Sequence, residues 1–264
     1  MSVPVEVIAH YAEGQEHARL TSGHGRLELW RTQDILLRNL PPAPARVLDV
    51  GGGPGIYAEW LAGLGYAVHV VDPVRLHVEQ AASLAGVTAA VGDARALAER
   101  DATYDVVLAL GPLYHLLERA DRVRAWQEFG RVVVPGGLVA AAAISRYAAL
   151  NDGLRKEVIL DPSFRHVVEG NLTDGTHRND ACLPDRFTTA YFHHPDELAG
   201  EVADAGLLLR GVLGVECTAW LVATLPVMLD DPVRRGLLLD WLRRIEAEPT
   251  LLGVSSHLLV LASP

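Results

Sequence analysis

A doubly wound α/β fold, a largely parallel sheet covered by helices on both faces, is what this sequence predicts, and three observations carry the prediction. Short apolar runs recur with spacers long enough for a helix: Val47–Val50, Val68–Val71, Thr88–Val91, Val106–Leu110 and Leu138–Ile144. A glycine-rich turn, Gly51–Gly55, follows the first run, and an acid, Asp72, closes the second. Repeated alternation of strand and helix requires crossover connections, which give parallel neighbours with buried faces. The chain has 264 residues, half of them hydrophobic, enough for one large domain with an insertion or two small ones.

Residues 1–40 read as an N-terminal helical cap, with Leu27, Trp30, Ile35, Leu36 and Leu40 near one face. The PPAPA run at Pro41–Ala45 stops that helix and leads into the first strand. Residues 41–145 form the ligand-binding core, with Pro135-Gly136-Gly137 as a turn immediately before the fifth strand. The pattern breaks after Ile144. Residues 146–186 carry scattered charges and Asn-Asp-Gly, Asp-Pro and Asp-Gly signals, which predicts a helical insertion or lid. Residues 187–264 return to the sheet. They hold an extended piece at Phe187–Phe192, a helix begun by Pro195 and two acids, a strand at Leu207–Val215, helices over 225–248 and a last strand at Ser256–Ala262. Trp126, Phe129, Trp220 and Trp241 fall at amphipathic spacing and are expected in the core or at a subunit interface.

Acids number 33 against 23 Lys and Arg, a formal net charge of −10, and Lys156 is the one lysine. A globally acidic surface disfavours nucleic acid and anionic membrane, because both need a basic footprint. Cys182 and Cys217 show no metal-ligand spacing, so no metal is expected and a reduced, cytoplasmic setting is. The start, MSVPVEVIAHYAEG, lacks the basic region and apolar core of a signal peptide, and no apolar run is long enough to span a bilayer. The expected partner is a small molecule, and the expected state a monomer or homodimer.

The stretch Arg46–Asp72 has the chemistry of a nucleotide-binding βαβ unit. Gly51, Gly53 and Gly55 let the backbone pass close to a ligand at the first strand's carboxyl end, and Asp72 is placed to accept hydrogen bonds from ribose hydroxyls. Asp49, two residues before the first glycine, would repel a pyrophosphate but favour an ammonium or sulfonium centre. S-adenosylmethionine is therefore favoured over NAD. An NAD-dependent oxidoreductase would also need a glycine where Ile56 stands, and it leaves Asp49 and Asp93 unexplained. Asp49 has a second reading, in which it bonds neighbouring loop amides and holds the glycine turn.

Five segments then carry a family resemblance: VLDVGGGPG at Val47–Gly55, VVD at Val70–Asp72, GDA at Gly92–Ala94, YDVVLALGPLYHL at Tyr104–Leu116 and RVVVPGGLV at Arg131–Val139. In this order and spacing the chain resembles the class I S-adenosylmethionine-dependent methyltransferases, in their small-molecule bacterial branch. The resemblance covers residues 46–145 well and the remainder loosely. It implies a Rossmann-like seven-stranded sheet of order 3-2-1-4-5-7-6, with the last strand antiparallel, and methyl transfer to an O, N or C acceptor. It further implies that Gly51, Gly52, Gly53 and Gly55 wrap the methionine part beside Asp49. Asp72 and Pro73 would take the ribose, and Gly92, Asp93 and Ala94 the adenine. Leu110 and Gly111 would lie against the methionine, with Tyr11 and Arg19 closing the cofactor from above. Asp93 has a plainer reading as the N-cap of a helix over Arg95–Arg100. Gly111-Pro112-Leu113-Tyr114 stands where an Asn-Pro-Pro-Tyr-type tetrad would mark amino transfer on nucleobases or glutamine, which puts that chemistry in doubt.

Tyr114 and His115 are the titratable side chains nearest the expected methyl group. An imidazole suits proton removal from a phenol, hydroxyl or acidic carbon, although His115 can equally orient its own loop. His193, Tyr191 and His194 are candidates for the acceptor pocket; the plainer reading of the histidine pair is a polar helix start, and adjacent histidines make a poor metal pair. His166, His177 and Arg178 lie in the lid and are expected at a solvated surface. A protein that binds the cofactor without transferring methyl has the same glycine turn, so that alternative stays open.

Overall fold

The computed structural model describes residues 20–23, 25–179 and 187–264. Helix α1 (Gly25–Asn39) buries Leu27, Ile35 and Leu36, the stripe its spacing predicts. Arg31 lies fully buried on the same helix, its Nε donating to the Val215 carbonyl at 2.9 Å and its guanidinium pairing with Glu246 at 2.6 Å and Asp34 at 2.7 Å. These bonds tie α1 to the C-terminal part of the chain.

The alternation then proceeds through β1 (Arg46–Val50), α2 (Ile56–Gly63), β2 (Ala67–Asp72), α3 (Arg75–Ala82), β3 (Val87–Val91), β4 (Tyr104–Ala109), α4 (Arg119–Val132) and β5 (Val133–Ser145). The insertion contributes α5 (Ala148–Arg155), α6 (Pro162–Asp174) and the two-residue β6 (Thr176–His177). It returns through β7 (Ala190–His193) and α7 (Pro195–Asp204) to β8 (Leu208–Gly214). Helices α8 (Leu225–Asp230), α9 (Pro232–Arg243) and α10 (Pro249–Leu252) precede the last strand, β9 (His257–Ser263).

Strands β1 to β5 are parallel in the order β3-β2-β1-β4-β5, and β9 enters antiparallel between β5 and β8. This is the expected seven-stranded order. Strand β7 extends the carboxyl end of β5 through Ile144–Phe192 and Ser145–His193, with β6 antiparallel to it. Alternate residues serve opposite faces, as a pleat requires. Leu48, Val107, Ala141 and Val260 pack with Trp126, Phe129, Leu198 and Val202 on the α4–α7 face. Val47, Leu108, Ala140 and Leu259 pack with Ile35, Leu36, Ala58 and Ala81 on the other.

Two expectations need correction, and a third is narrowed. No helix separates β3 from β4: Asp93 accepts from the amide of Arg95, Leu97 N–H donates to Glu128, and Arg131 takes the carbonyls of Leu97 and Glu99. Side chains of α4 thus satisfy backbone groups that helical bonds would otherwise occupy, and Asp93 caps no helix. Pro135-Gly136-Gly137 lies within β5 rather than before it, because Tyr104 pairs with Val133 and Val106 with Leu138, so the intervening residues bulge out. Trp241 is 58% exposed, with the Arg244 guanidinium 4.5 Å from its ring, so in the single chain it is not a core residue.

Trp126 is fully buried edge-on to Phe129, ring centroids 5.8 Å apart, between α4 and the sheet. Trp126→Ala should lower unfolding free energy by about 3–5 kcal/mol, read as a reduced urea midpoint. An unchanged midpoint would show that this face does not depend on the ring.

Candidate functional site

The sheet order reverses between β1 and β4, and the crevice above that point is where open α/β sheets bind ligands. A cleft of about 1040 Å³, including its open mouth, lies there. Its wall brings together Asp49, Gly51, Gly52, Gly53, Asp72, Pro73, Gly92, Asp93, Ala94, Leu110, Gly111, Tyr114 and His115, positions drawn from four strand ends. Tyr11 and Arg19 lie outside the described residues.

The turn after β1 is folded tightly against its neighbours. Gly51 has a φ of +67°, and a Cβ there would meet Pro112 Cδ at 2.9 Å, so only glycine fits. A Cβ on Gly52 would come within 2.6 Å of Asp49 Oδ2, which places the Asp49 carboxylate directly beneath the turn. Gly55 faces away: a Cβ there would strike Leu84 Cδ1 at 2.6 Å, and the residue begins α2 rather than lining the cleft.

The two acids have different roles. Asp72, almost fully buried, accepts from Gly53 N–H at 2.9 Å and Val74 N–H at 2.8 Å, and its Oδ1 lies 3.2 Å from His77 Nδ1. It is Asp72, not Asp49, that holds the glycine turn. Asp49 is 1% exposed, lines the cleft, and has no hydrogen-bond partner on either carboxylate oxygen. Burial, and then the neighbouring Asp72 charge, push its pKa up to about 7. A buried carboxylate in this state is complementary to a ligand carrying positive charge. The donor set and the glycine cradle therefore fit S-adenosylmethionine.

Asp93 is pinned by Arg95, whose Nε and Nη2 lie 2.9 and 2.6 Å from its oxygens, while Arg95 also pairs with Asp121 at 2.8 Å. Burial would raise the Asp93 pKa, but the Arg95 side chain and amide outweigh it and hold the carboxyl below its usual range. Tyr114 and His115 form a short turn after β4. The Tyr114 hydroxyl donates to the Leu110 carbonyl at 3.2 Å, and its ring lies 4.7 Å from the His115 ring. Phe187 is 5.9 Å from His115 and 6.2 Å from Tyr114, so an aromatic ring from the lid side packs against these two lining residues.

The other lid-side candidates are not brought to the cleft. His193 is fully buried, its Nε2 3.5 Å from Glu201, and burial lowers its pKa. Tyr191 is half-buried and donates to Glu197 at 3.1 Å, and His194 N–H also donates to Glu197, at the start of α7. His177, expected at the surface, is buried and stacked on Phe192 at 4.6 Å. His77 and Tyr57 line the cleft but carried no motif. The signal for His77 is its place five residues after Asp72, one turn into α3. Among the described residues, Glu28, Glu216 and His257 are a group of possible metal ligands, with His257 Nδ1 at 2.5 Å from Glu216 and 3.7 Å from Glu28. These contacts join the start of β9 to α1.

The chain is similar to known proteins in sequence and in fold. A family model described as a methyltransferase domain matches residues 47–137. A ubiquinone biosynthesis O-methyltransferase of Methylocella silvestris is 41% identical over 38% of this chain and 40% of its own length, so the chain spans two-fifths of that relative. The corresponding protein of Ralstonia nicotianae is 34% identical over 69% of this chain and 71% of its own. An S-adenosylmethionine-dependent methyltransferase from Mesorhizobium loti has the same fold, with a TM-score of 0.60 at 16% identity, covering 90% of this chain and all of that one (100%).

Asp49 makes the cleft pH-dependent. Its folded-state pKa, about 7, lies above the ordinary 3.8, so the folded protein holds a proton that the unfolded chain releases. Its contribution to the stability of the ligand-free protein therefore declines as pH rises between those values. Affinity for S-adenosylmethionine should instead rise between about pH 6 and pH 8 as the carboxylate forms, and Asp49→Asn should flatten that rise in calorimetric titrations. A pH-independent wild-type affinity would contradict the assignment.

Proposed function

The chain belongs to the S-adenosylmethionine-dependent methyltransferases, and from that membership we propose that it methylates an oxygen of a small aromatic acceptor. The observation that carries the cofactor part is the buried, unpartnered Asp49 carboxylate under the glycine turn. When bound, S-adenosylmethionine supplies a methyl group activated by its sulfonium charge. Asp49 would face the positive end of the cofactor, Gly51–Gly53 would admit it close to the backbone, and Asp72 would offer its remaining lone pairs to the ribose. Ala94 and the Arg95-pinned Asp93 form the adenine wall. Leu110 and Gly111 wall the cleft on the β4 side.

The aromatic acceptor is supported by the rings at the rim, Tyr114, His115 and Phe187, and by the O-methyltransferase relatives. His115 would take the proton from the acceptor hydroxyl, leaving on that oxygen the electron pair that forms the new bond to methyl while the methyl–sulfur bond breaks and a neutral thioether leaves. The remaining work is alignment, because the sulfonium charge is dispersed rather than created during transfer. A net charge of −10 supports a small molecule over nucleic acid, and among the described residues no helix is long and apolar enough to cross a membrane. Cys217, a buried free thiol, is compatible with a cytoplasmic setting.

Incubation with S-adenosylmethionine labelled in its methyl group and a panel of catechols and hydroxybenzoates should place label on a phenolic oxygen. His115→Ala should cut that turnover by about 10²–10⁴-fold with little change in cofactor affinity. Cofactor binding without label transfer to any phenol would exclude the oxygen reading. A His115→Ala enzyme with full turnover would leave that residue a loop-orienting group.

A further inference from the structure

The turn carrying Tyr114 and His115 is closed by short backbone bonds. His115 N–H reaches the Pro112 carbonyl at 3.1 Å and Leu116 N–H that of Leu113 at 3.2 Å. Its exit is held from outside by a side chain of α4. Arg122 of α4, 2% exposed, donates from Nη1 to the Leu116 carbonyl at 2.9 Å and the Leu117 carbonyl at 2.7 Å. Its Nε donates to Glu201 of α7 at 2.7 Å, and the Tyr191 ring of β7 lies 3.7 Å from the guanidinium carbon. Glu201 is itself fully buried and sits 3.5 Å from His193 Nε2.

A buried ion pair is a poor source of net stability, because desolvation offsets its attraction. What a guanidinium supplies that an aliphatic side chain cannot is a planar fork of donors with fixed directions. Here that fork spans three elements: the turn walling the cleft, α7, and the strand at the end of the lid. We infer that Arg122 is a positioning residue, which sets the place of Tyr114 and His115 against the cofactor cleft and couples that place to β7. Tyr191 and His193 then act on the site through Arg122 rather than by touching a ligand. The inference rests on reading the cleft as the cofactor site.

The test uses Arg122→Lys, which keeps the charge but loses the fork, and Glu201→Gln, which keeps an acceptor for Nε but removes the anion. Folding is confirmed by urea denaturation and near-ultraviolet dichroism. Two readouts follow: calorimetric affinity for S-adenosylmethionine, and the imidazole Cε1–H resonance of His115, assigned by its loss in His115→Gln. Folded Arg122→Lys should shift or broaden that resonance and weaken the affinity about tenfold, because the whole turn walling the cleft, Leu116 included, is displaced and not the imidazole alone. Glu201→Gln should move both in the same direction, and it carries the test alone if Arg122→Lys does not fold. A folded variant with wild-type resonance and wild-type affinity overturns the inference. If the wild-type protein binds no S-adenosylmethionine, the cofactor reading fails separately, and an unmoved resonance still overturns the positioning role.

Discussion

Two carboxylates meet beneath the glycine turn, and the turn's amides serve only one of them. Asp72 accepts the Gly53 and Val74 amides and so fixes the backbone that a ligand must approach. Asp49 lies one strand away, buried and unbonded, with its pKa raised by burial and by the Asp72 charge. A folded protein retains such a group against its desolvation cost only where something else gains. A cation above the turn would supply that gain, since it would satisfy the buried charge while the amides held by Asp72 remain in place. The geometry around the cleft follows from this arrangement: Pro112 must stay close enough to forbid a side chain at Gly51, and Asp49 close enough to forbid one at Gly52.

The sheet makes that arrangement rigid. β1 and β4 are buried neighbours, and the turn after each contributes one wall of the cleft. On the far side, the insertion returns to the sheet as β7, paired to the end of β5, which brings Phe187 to the aromatic rim and Tyr191 onto Arg122. Elements from the lid side and from the cleft therefore share the turn at Tyr114 and His115.

Much of this could be read from residues alone, for identifiable reasons. Continuous apolar runs at Val47–Val50, broken only by Asp49, and at Val106–Leu110 mark strands buried on both faces, and glycines followed by strand-end acids mark a ligand turn. The division of labour between Asp49 and Asp72 was not readable, because either acid could have reached the turn's amides and only the strand-end geometry decides. His193 and His194 illustrate a second limit. Successive residues at a strand end point to opposite sides, and burial takes His193 into the Glu201 pair while leaving His194 at a helix start. Arg122 did carry a signal, since it shares the stripe spacing of Trp126 and Phe129, both fully buried. A cation on an apolar stripe needs buried acceptors. Naming them required the fold, because Glu201 lies 79 residues away in sequence.

The most direct measurement is a parallel calorimetric titration of the purified wild-type protein with S-adenosylmethionine and with NADH near neutral pH. A cleft built around an unpartnered Asp49 should bind S-adenosylmethionine at one site per chain and show no saturable heat with NADH. Saturable NADH binding with none for S-adenosylmethionine would contradict the account at its centre.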